Sequence, residues 1–177
     1  MIPITTKRLV IRNFTAADGE ALHRMIVQYQ ASEFAAYDQQ WPTSAEEIKS
    51  VAEWFAGGDH FLAVCLNDSS RFIGFVALNP EEEGVYNLGY VFDSNYHGRG
   101  YAAEACRAVL DRAFGSLNAS RVVTGTAAVN KSSCRLLERL GFQKIGEAVS
   151  SFKTGEDGKP VEFLGYSYVL TNDDWGA

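Results

Sequence analysis

The chain has 177 residues, 46% of them hydrophobic and 21% charged, with a formal net charge of −6. This length and balance predict one globular domain, residues 1–177, that buries about 70% of its unfolded surface. A membrane helix is excluded because no apolar run approaches ~20 residues, and the acidic surface argues against direct nucleic-acid binding while suiting a cationic partner such as an amine.

Along the chain, Lys7 to Arg12 alternates in polarity and reads as an opening strand. Thr15 with Asp18 three residues on marks a helix start, and Leu22, Met25, Ile26 and Tyr29 follow at helical spacing. Residues 30–42 are irregular and aromatic, and Trp41-Pro42 forces an extended or turn conformation. Ser44-x-x-Glu47 is a capping box for a helix carrying Ile48, Val51, Ala52 and Phe55, which Gly57-Gly58 ends. Three strands are predicted next, at His60–Leu66, Arg71–Leu78 and Val85–Phe92, with turns at 67–70 and at the acidic stretch 79–84.

A glycine-rich loop then opens a helix running to about Phe114. Its apolar stripe is Ala102, Cys106, Val109, Leu110 and Ala113, with Glu104, Arg107 and Asp111 facing away. Arg121 to Val129 reads as a buried strand. Asn130 caps a short helix with Leu136, Leu137 and Leu140 inward, and Gly141 closes it in a left-handed cap. Gln143–Lys153 and Val161–Leu170 are the last strands, joined by the polar loop 154–160. The adjacent strands suit an antiparallel meander. The strand–helix–strand unit 85–127 needs a crossover, so its two strands are expected to be parallel. The fold class is therefore mixed α/β. The three cysteines, Cys65, Cys106 and Cys134, lack CxxC spacing, which argues against a disulfide frame and a metal site. With no secretory leader pattern, a reducing cytoplasm is expected.

The informative stretch is Tyr96-His97-Gly98-Arg99-Gly100-Tyr101-Ala102-Ala103-Glu104-Ala105. Glycines at the start of a helix aim backbone N–H groups at one point, at the positive end of the helix dipole, which is an anion cradle. Gly98-x-Gly100-x-x-Ala103 matches the dinucleotide spacing, but that reading needs a carboxylate about 20 residues on at the end of the next strand. That strand reads Val122-Val123-Thr124-Gly125-Thr126-Ala127, without an acid.

Leu88-Gly89-Tyr90-Val91-Phe92 followed by Tyr96 to Ala105 resembles the acyl-CoA loop of the GNAT N-acetyltransferase superfamily. The family signature Gln/Arg-x-x-Gly-x-Gly/Ala falls on His97-x-x-Gly100-x-Ala102, and His97 departs from it. Asn130-x-x-Ser133 with Leu137 to Phe142 resembles the second motif. Thr6 to Arg12 resembles the opening of the (RimJ/RimL-like) branch that acetylates ribosomal-protein N-termini. The resemblance spans nearly the whole chain. It implies a mostly antiparallel sheet with a splayed parallel strand pair, flanked by helices, and acetyl-CoA as co-substrate without a metal.

Physical chemistry runs alongside. Coenzyme A carries a pyrophosphate, which suits the N–H groups of Arg99, Gly100, Tyr101 and Ala102 beside Gly98. Its pantetheine amides need strand-edge partners. By resemblance these are on Tyr90, Val91 and Phe92, with Asn130 and His97 also at the coenzyme and Ser133 near its sulfur as a hydrogen-bond donor to the leaving thiolate. The implied reaction is direct attack of a primary amine in a ternary complex. The acceptor is a protein or peptide N-terminus or a small-molecule amine. A polyamine or aminoglycoside-type antibiotic is the alternative, a non-catalytic acyl-CoA sensor is a rival from another class, and a homodimer is compatible. An α-amine with a pKa near ~8 is about a tenth neutral at pH 7 and needs little help, whereas a lysine-type amine near ~10.4 needs a base. Asn87 stands where many relatives carry an acid, and it takes no proton at neutral pH. Glu33, Asp38, Glu83 and Tyr86 are the base candidates. Residues 30–42 and loop 154–160 are expected to flank the acceptor groove, with Tyr29, Phe34, Tyr37 and Trp41 as aromatic walls.

Overall fold

The computed structural model describes residues 3–176. Strand β1 (Ile4–Thr5) pairs antiparallel with β2 (Leu9–Asn13), whose alternating Leu9 and Ile11 are fully buried. Thr15 and Asp18 form a capping box ahead of helix α1 (Gly19–Gln30), and a 3-10 turn at Glu33–Tyr37 leads to helix α2 (Ala45–Ala56), capped by Ser44. Strands β3 (Phe61–Leu66), β4 (Phe72–Glu82) and β5 (Val85–Phe92) make the meander. Helix α3 (Tyr101–Phe114) crosses to β6 (Arg121–Ala127), which pairs parallel with β5. Helix α4 (Lys131–Arg139), strands β7 (Gln143–Thr154) and β8 (Pro160–Thr171), and the short helix α5 (Asn172–Trp175) complete the fold.

All the strands lie in one eight-stranded sheet, in the order β1-β2-β3-β4-β5-β6-β8-β7, with β5–β6 as the parallel pair in an otherwise antiparallel sheet. Side chains alternate across a strand, so each face has its own core. Leu62 and Val64 of β3 face α3 and α4, packing with Cys106, Val109, Leu110 and Leu137. Phe61 and Ala63 face α1 and α2, packing with Leu22, Ile26, Ile48 and Phe55. The three cysteines are buried and free. Among the described residues no helix is long and apolar enough to cross a membrane.

Three details differ from the sequence reading. β4 continues to Glu82 through the expected turn, pairing Asn79 with Asn87, and the chain reverses only at Glu83-Gly84, where Gly84 has φ +71. Glu104 does not face away. Its carboxylate accepts from Thr6 Oγ1 at 2.6 Å, Arg8 N at 2.9 Å and Arg8 Nε at 2.7 Å, because α3 begins against the β1–β2 turn. The strand β1 and the helix α5 were not expected, being too short to carry a period.

Arg12 bridges β2 to the start of α1. Its Nη1 and Nη2 donate to the two Asp18 carboxylate oxygens at 2.8 Å each, and Thr15 N–H donates to Asp18 Oδ2 at 2.8 Å. Burial alone would raise the Asp18 carboxyl, but the Arg12 and Thr15 hydrogen bonds outweigh it and hold it below its usual value of 3.8. A depressed carboxyl stabilises the fold above its unfolded pKa and loses that contribution as pH falls through the folded value. Asp18→Asn is therefore expected to destabilise the fold at neutral pH by roughly 2–3 kcal/mol, towards the lower end for breaking a buried pair because Arg12 is partly exposed. Urea titration of both proteins at a series of pH values should show the gap narrowing below about pH 4; a gap that stays constant into acid would contradict the assignment.

Candidate active site

β5 and β6 run side by side only briefly. Their backbone register covers Val85–Asn87 against Arg121–Val123 and then stops. At the next step the Thr124 hydroxyl donates to the Leu88 carbonyl at 2.7 Å, a buried contact in which a side chain closes off the ladder. Beyond it β6 stays with β8 as far as Ala127↔Gly165, while β5 stays with β4 as far as Phe92↔Gly74. The sheet therefore opens between Gly89–Val91 and Gly125–Ala127, and a cavity of about 810 Å³ fills the gap.

Period-two alternation splits the roles of β5. Tyr90 points to the face of α3 and α4, while Val91 points to the face of α1 and α2. The Tyr90 hydroxyl lies 2.8 Å from Ser133 Oγ in the first turn of α4. Asn130 caps that helix through its side chain, accepting from Ser133 N–H at 3.1 Å. Burial, more than the surrounding side chains, pushes the Tyr90 phenol well above its usual range, so it remains a neutral hydroxyl. Tyr90, Val91, Asn130 and Ser133 all border the cavity.

The glycine loop lies beyond the end of β5. Gly98 and Gly100 have φ +72 and +78, a region that side-chain-bearing residues rarely adopt. Gly100 is the N-cap of α3 and offers no side chain to its N–H groups, and a helix leaves its first N–H groups without intrahelical partners. Tyr101 and Ala102 thus present backbone donors at the helix start, and Arg99 lies one residue before its cap. His97 turns back on the strand, its Nε2–H donating to the Phe92 carbonyl at 2.9 Å.

The loop is held from the β1–β2 turn by a residue to which the sequence reading gave no role. Arg8 Nη1 donates to the Arg99 carbonyl at 2.9 Å, its Nε pairs with Glu104, and its guanidinium lies 4.4 Å from the centre of the Tyr101 ring. The signal was present, since Thr6 and Arg8 stand in the opening motif, but only the fold brings them to Glu104.

On the other side of the gap, Tyr29, Phe34, Tyr37 and Trp41 all border the cavity, as expected for aromatic walls, and Tyr37 packs on Phe163 of β8 with ring centres 5.5 Å apart. Loop 154–160 does not border it. β7 and β8 are twelve residues long, which carries their tip past the opening, and Ser150, Phe152 and Phe163 from the body of the hairpin take that place. Of the four base candidates, Asp38 alone borders the cavity; Glu33, Glu83 and Tyr86 lie outside it. Asp38 Oδ2 accepts from the Tyr29 hydroxyl at 2.7 Å, and Oδ1 accepts from Gln39 N–H at 2.7 Å. Burial and then the Asp38 charge push the Tyr29 phenol well above its usual range, which keeps it a donor. Among the described residues no group of three or more His, Cys, Asp or Glu is placed to hold a metal ion.

A mixed sheet that parts beside an open helix N-terminus defines an acyl-transferase architecture. The family model described as an acetyltransferase (GNAT) domain matches residues 8–143, and the chain belongs to that family of N-acetyltransferases. It is 27% identical over 174 residues to the uncharacterized N-acetyltransferase YnaD of Bacillus subtilis, covering 97% of this chain and 98% of that protein. Its fold matches the ribosomal-protein-S5-alanine acetyltransferase of Vibrio fischeri at a TM-score of 0.80 and 19% identity, with 99% of each chain covered. It also matches the spermidine N-acetyltransferase of Vibrio cholerae, solved with CoA and spermine, at a TM-score of 0.80 and 16% identity, covering 97% of this chain and 100% of that one.

Thr124→Val keeps the side-chain shape and leaves the buried Leu88 carbonyl without its donor. A loss of about 1–3 kcal/mol is expected from such an orphaned group, with Thr124→Ser retaining most of the stability. Denaturant unfolding of the two variants checks this, and equal midpoints would show that the hydroxyl does not close the ladder.

Proposed function

We propose that the chain, as one domain over residues 1–177, uses acetyl-CoA to acetylate a primary amine in the cytoplasm, in the manner of the branch that acts on ribosomal-protein N-termini. The observation that carries this reading is the opening between β5 and β6 beside the uncapped start of α3. The parted strands leave the Gly89–Val91 edge free on the β6 side, and the helix start supplies anion-binding N–H groups a short way along the same chain.

Acetyl-CoA supplies an activated acyl group on a thioester, with a pyrophosphate and two amides along its arm. The N–H groups of Gly98, Arg99, Gly100, Tyr101 and Ala102 hold the pyrophosphate. The β6-facing edge of Tyr90, Val91 and Phe92 pairs with the arm amides as an added strand would, which steers the thioester into the cavity. His97 braces the end of that edge, and Asn130 fixes the helix turn that carries Ser133.

The acceptor nitrogen attacks the carbonyl carbon, the new C–N bond forms, and the C–S bond breaks to release a thiolate. Ser133 donates a hydrogen bond to the departing sulfur. When Tyr90 donates to Ser133 Oγ, the serine hydrogen is free for that bond, so Tyr90 positions the donor. One amine proton leaves before attack, and the second goes to solvent or to the released thiolate. A neutral α-amine is available at about a tenth of its total at pH 7, so a peptide N-terminus reacts without a dedicated base. The solved neighbours named above are a spermidine N-acetyltransferase and a ribosomal-protein-S5-alanine acetyltransferase, which supports an amine acceptor.

Incubation with acetyl-CoA, thiol detection and a panel of amines and peptides tests the reading. Thiol release that depends on an amine is expected, and tight coenzyme binding with no release from any acceptor would favour an acyl-CoA sensor instead. Gly100→Val places a β-branched residue at φ +78 and closes the backbone approach; calorimetry is expected to show coenzyme binding lost, and unchanged affinity would sink the cradle. Ser133→Ala is expected to lower kcat by about 10–100-fold, at or below the usual effect of removing one transition-state donor, while coenzyme affinity holds. Unchanged kcat would return Ser133 to a helix-turn role.

A further inference from the structure

We infer that Asp38 selects acceptors carrying a second positive group, set across an apolar or aromatic body from the reacting amine. This inference rests on the amine-acetylation reading and narrows its substrate class.

Charge makes the first part of the argument. Among the described residues, Asp38 is the one Asp, Glu, Lys, Arg or His that borders the cavity. It stands on the 3-10 arch between α1 and α2, on the side of the opening away from α4. Tyr29 and Gln39 each hold one of its oxygens, so the carboxylate is fixed in orientation. Each oxygen keeps a further lone pair for a ligand. The Tyr29 phenol stays protonated, so this arrangement persists over the working pH range.

Chemistry makes the second part. The reacting nitrogen has to be neutral when it attacks. A carboxylate paired with that nitrogen would hold it in the unreactive ammonium form. A carboxylate paired with a different cation carries no such penalty, because the contact is the same in the bound substrate and at the transition state. Such uniform binding lowers KM and leaves kcat alone. One carboxylate matches one residual cation, which fits a diamine or an N-terminal peptide with one basic group better than an acceptor with three or more charges.

The walls make the third part. Phe34, Tyr37, Trp41, Phe152 and Phe163 border the cavity. Such walls favour an apolar or flat spacer over a hydrated one, and their faces attract a cation.

The test uses the full-length protein, saturating acetyl-CoA and a matched pair of acceptors, para-xylylenediamine and para-methylbenzylamine. The two differ in the distal ammonium. In the unmodified protein the diamine is expected to have a KM lower by about tenfold or more, after correction for its two equivalent amines, as a partly buried charge-assisted contact provides. Asp38→Asn is expected to erase that difference in KM. Tyr29→Phe, which frees the carboxylate to rotate, is expected to reduce the difference in part. Asp38→Glu is expected to restore some of it, a rescue that a purely structural role for Asp38 would not give. The inference is overturned if the unmodified protein does not discriminate within the pair, or if Asp38→Asn discriminates as well as the unmodified protein does. Calorimetric titration of both amines into the CoA-bound protein separates this result from the broader reading. Asp38-dependent preference in binding without turnover would keep the cation site and defeat acetyl transfer. Turnover without any such preference would keep acetyl transfer and defeat the cation site.

Discussion

The rest of the structure depends on a single interruption in one β-ladder. The parallel pair β5–β6 holds for three residues on each strand and then ends at the Thr124 hydroxyl on the Leu88 carbonyl. Past that point each strand remains bonded on its other side, β5 to β4 and β6 to β8. The opening is thus stable without collapsing, because every strand that borders it has a full partner elsewhere. A sheet paired throughout would have neither a free β5 edge nor a passage from the α4 face to the α1–α2 face.

The opening has two unlike sides. On the α4 side, hydroxyls and helix starts gather: Tyr90, Ser133, Asn130 and, further along, the glycine loop. On the α1–α2 side are aromatic rings and one carboxylate. This division follows from strand alternation, which sends Tyr90 one way and Val91 the other. Under the proposed function, a polar, anionic donor and an amine-bearing acceptor would approach from opposite faces of the same sheet and meet only in the gap.

The glycine loop needs more than its glycines. Positive φ at Gly98 and Gly100 sets its shape. Its position relative to the sheet comes from Arg8, which ties the Arg99 carbonyl to Glu104 and lies over Tyr101. The Arg8–Glu104 pair is partly exposed, with side chains 40% and 19% accessible. Its contribution to stability is accordingly modest, and its main effect is to hold α3 at one place against β2.

Local chemistry was legible in the sequence. Capping boxes at Thr15 and Ser44, the αL stop at Gly141, the helix register of α3, the β5 boundaries and the parallel crossover all follow from short-range patterns, because hydrogen-bond capping and side-chain periodicity act within a few residues. The glycines at the start of α3 and the Asn130 cap of α4 followed for the same reason. Tertiary structure alone decided which side chains share the cavity. Glu104 read as a surface residue until the β1–β2 turn brought Arg8 to it, 96 positions away in sequence. Thr124 read as one more β-branched strand residue until its hydroxyl replaced a ladder bond. Asp38 stood level with Glu33, Glu83 and Tyr86 until the arch carried it to the opening and left the others outside. Sequence pattern reports what a residue can do with its near neighbours, whereas a site is made by contacts between distant segments, and those exist only once the chain has folded.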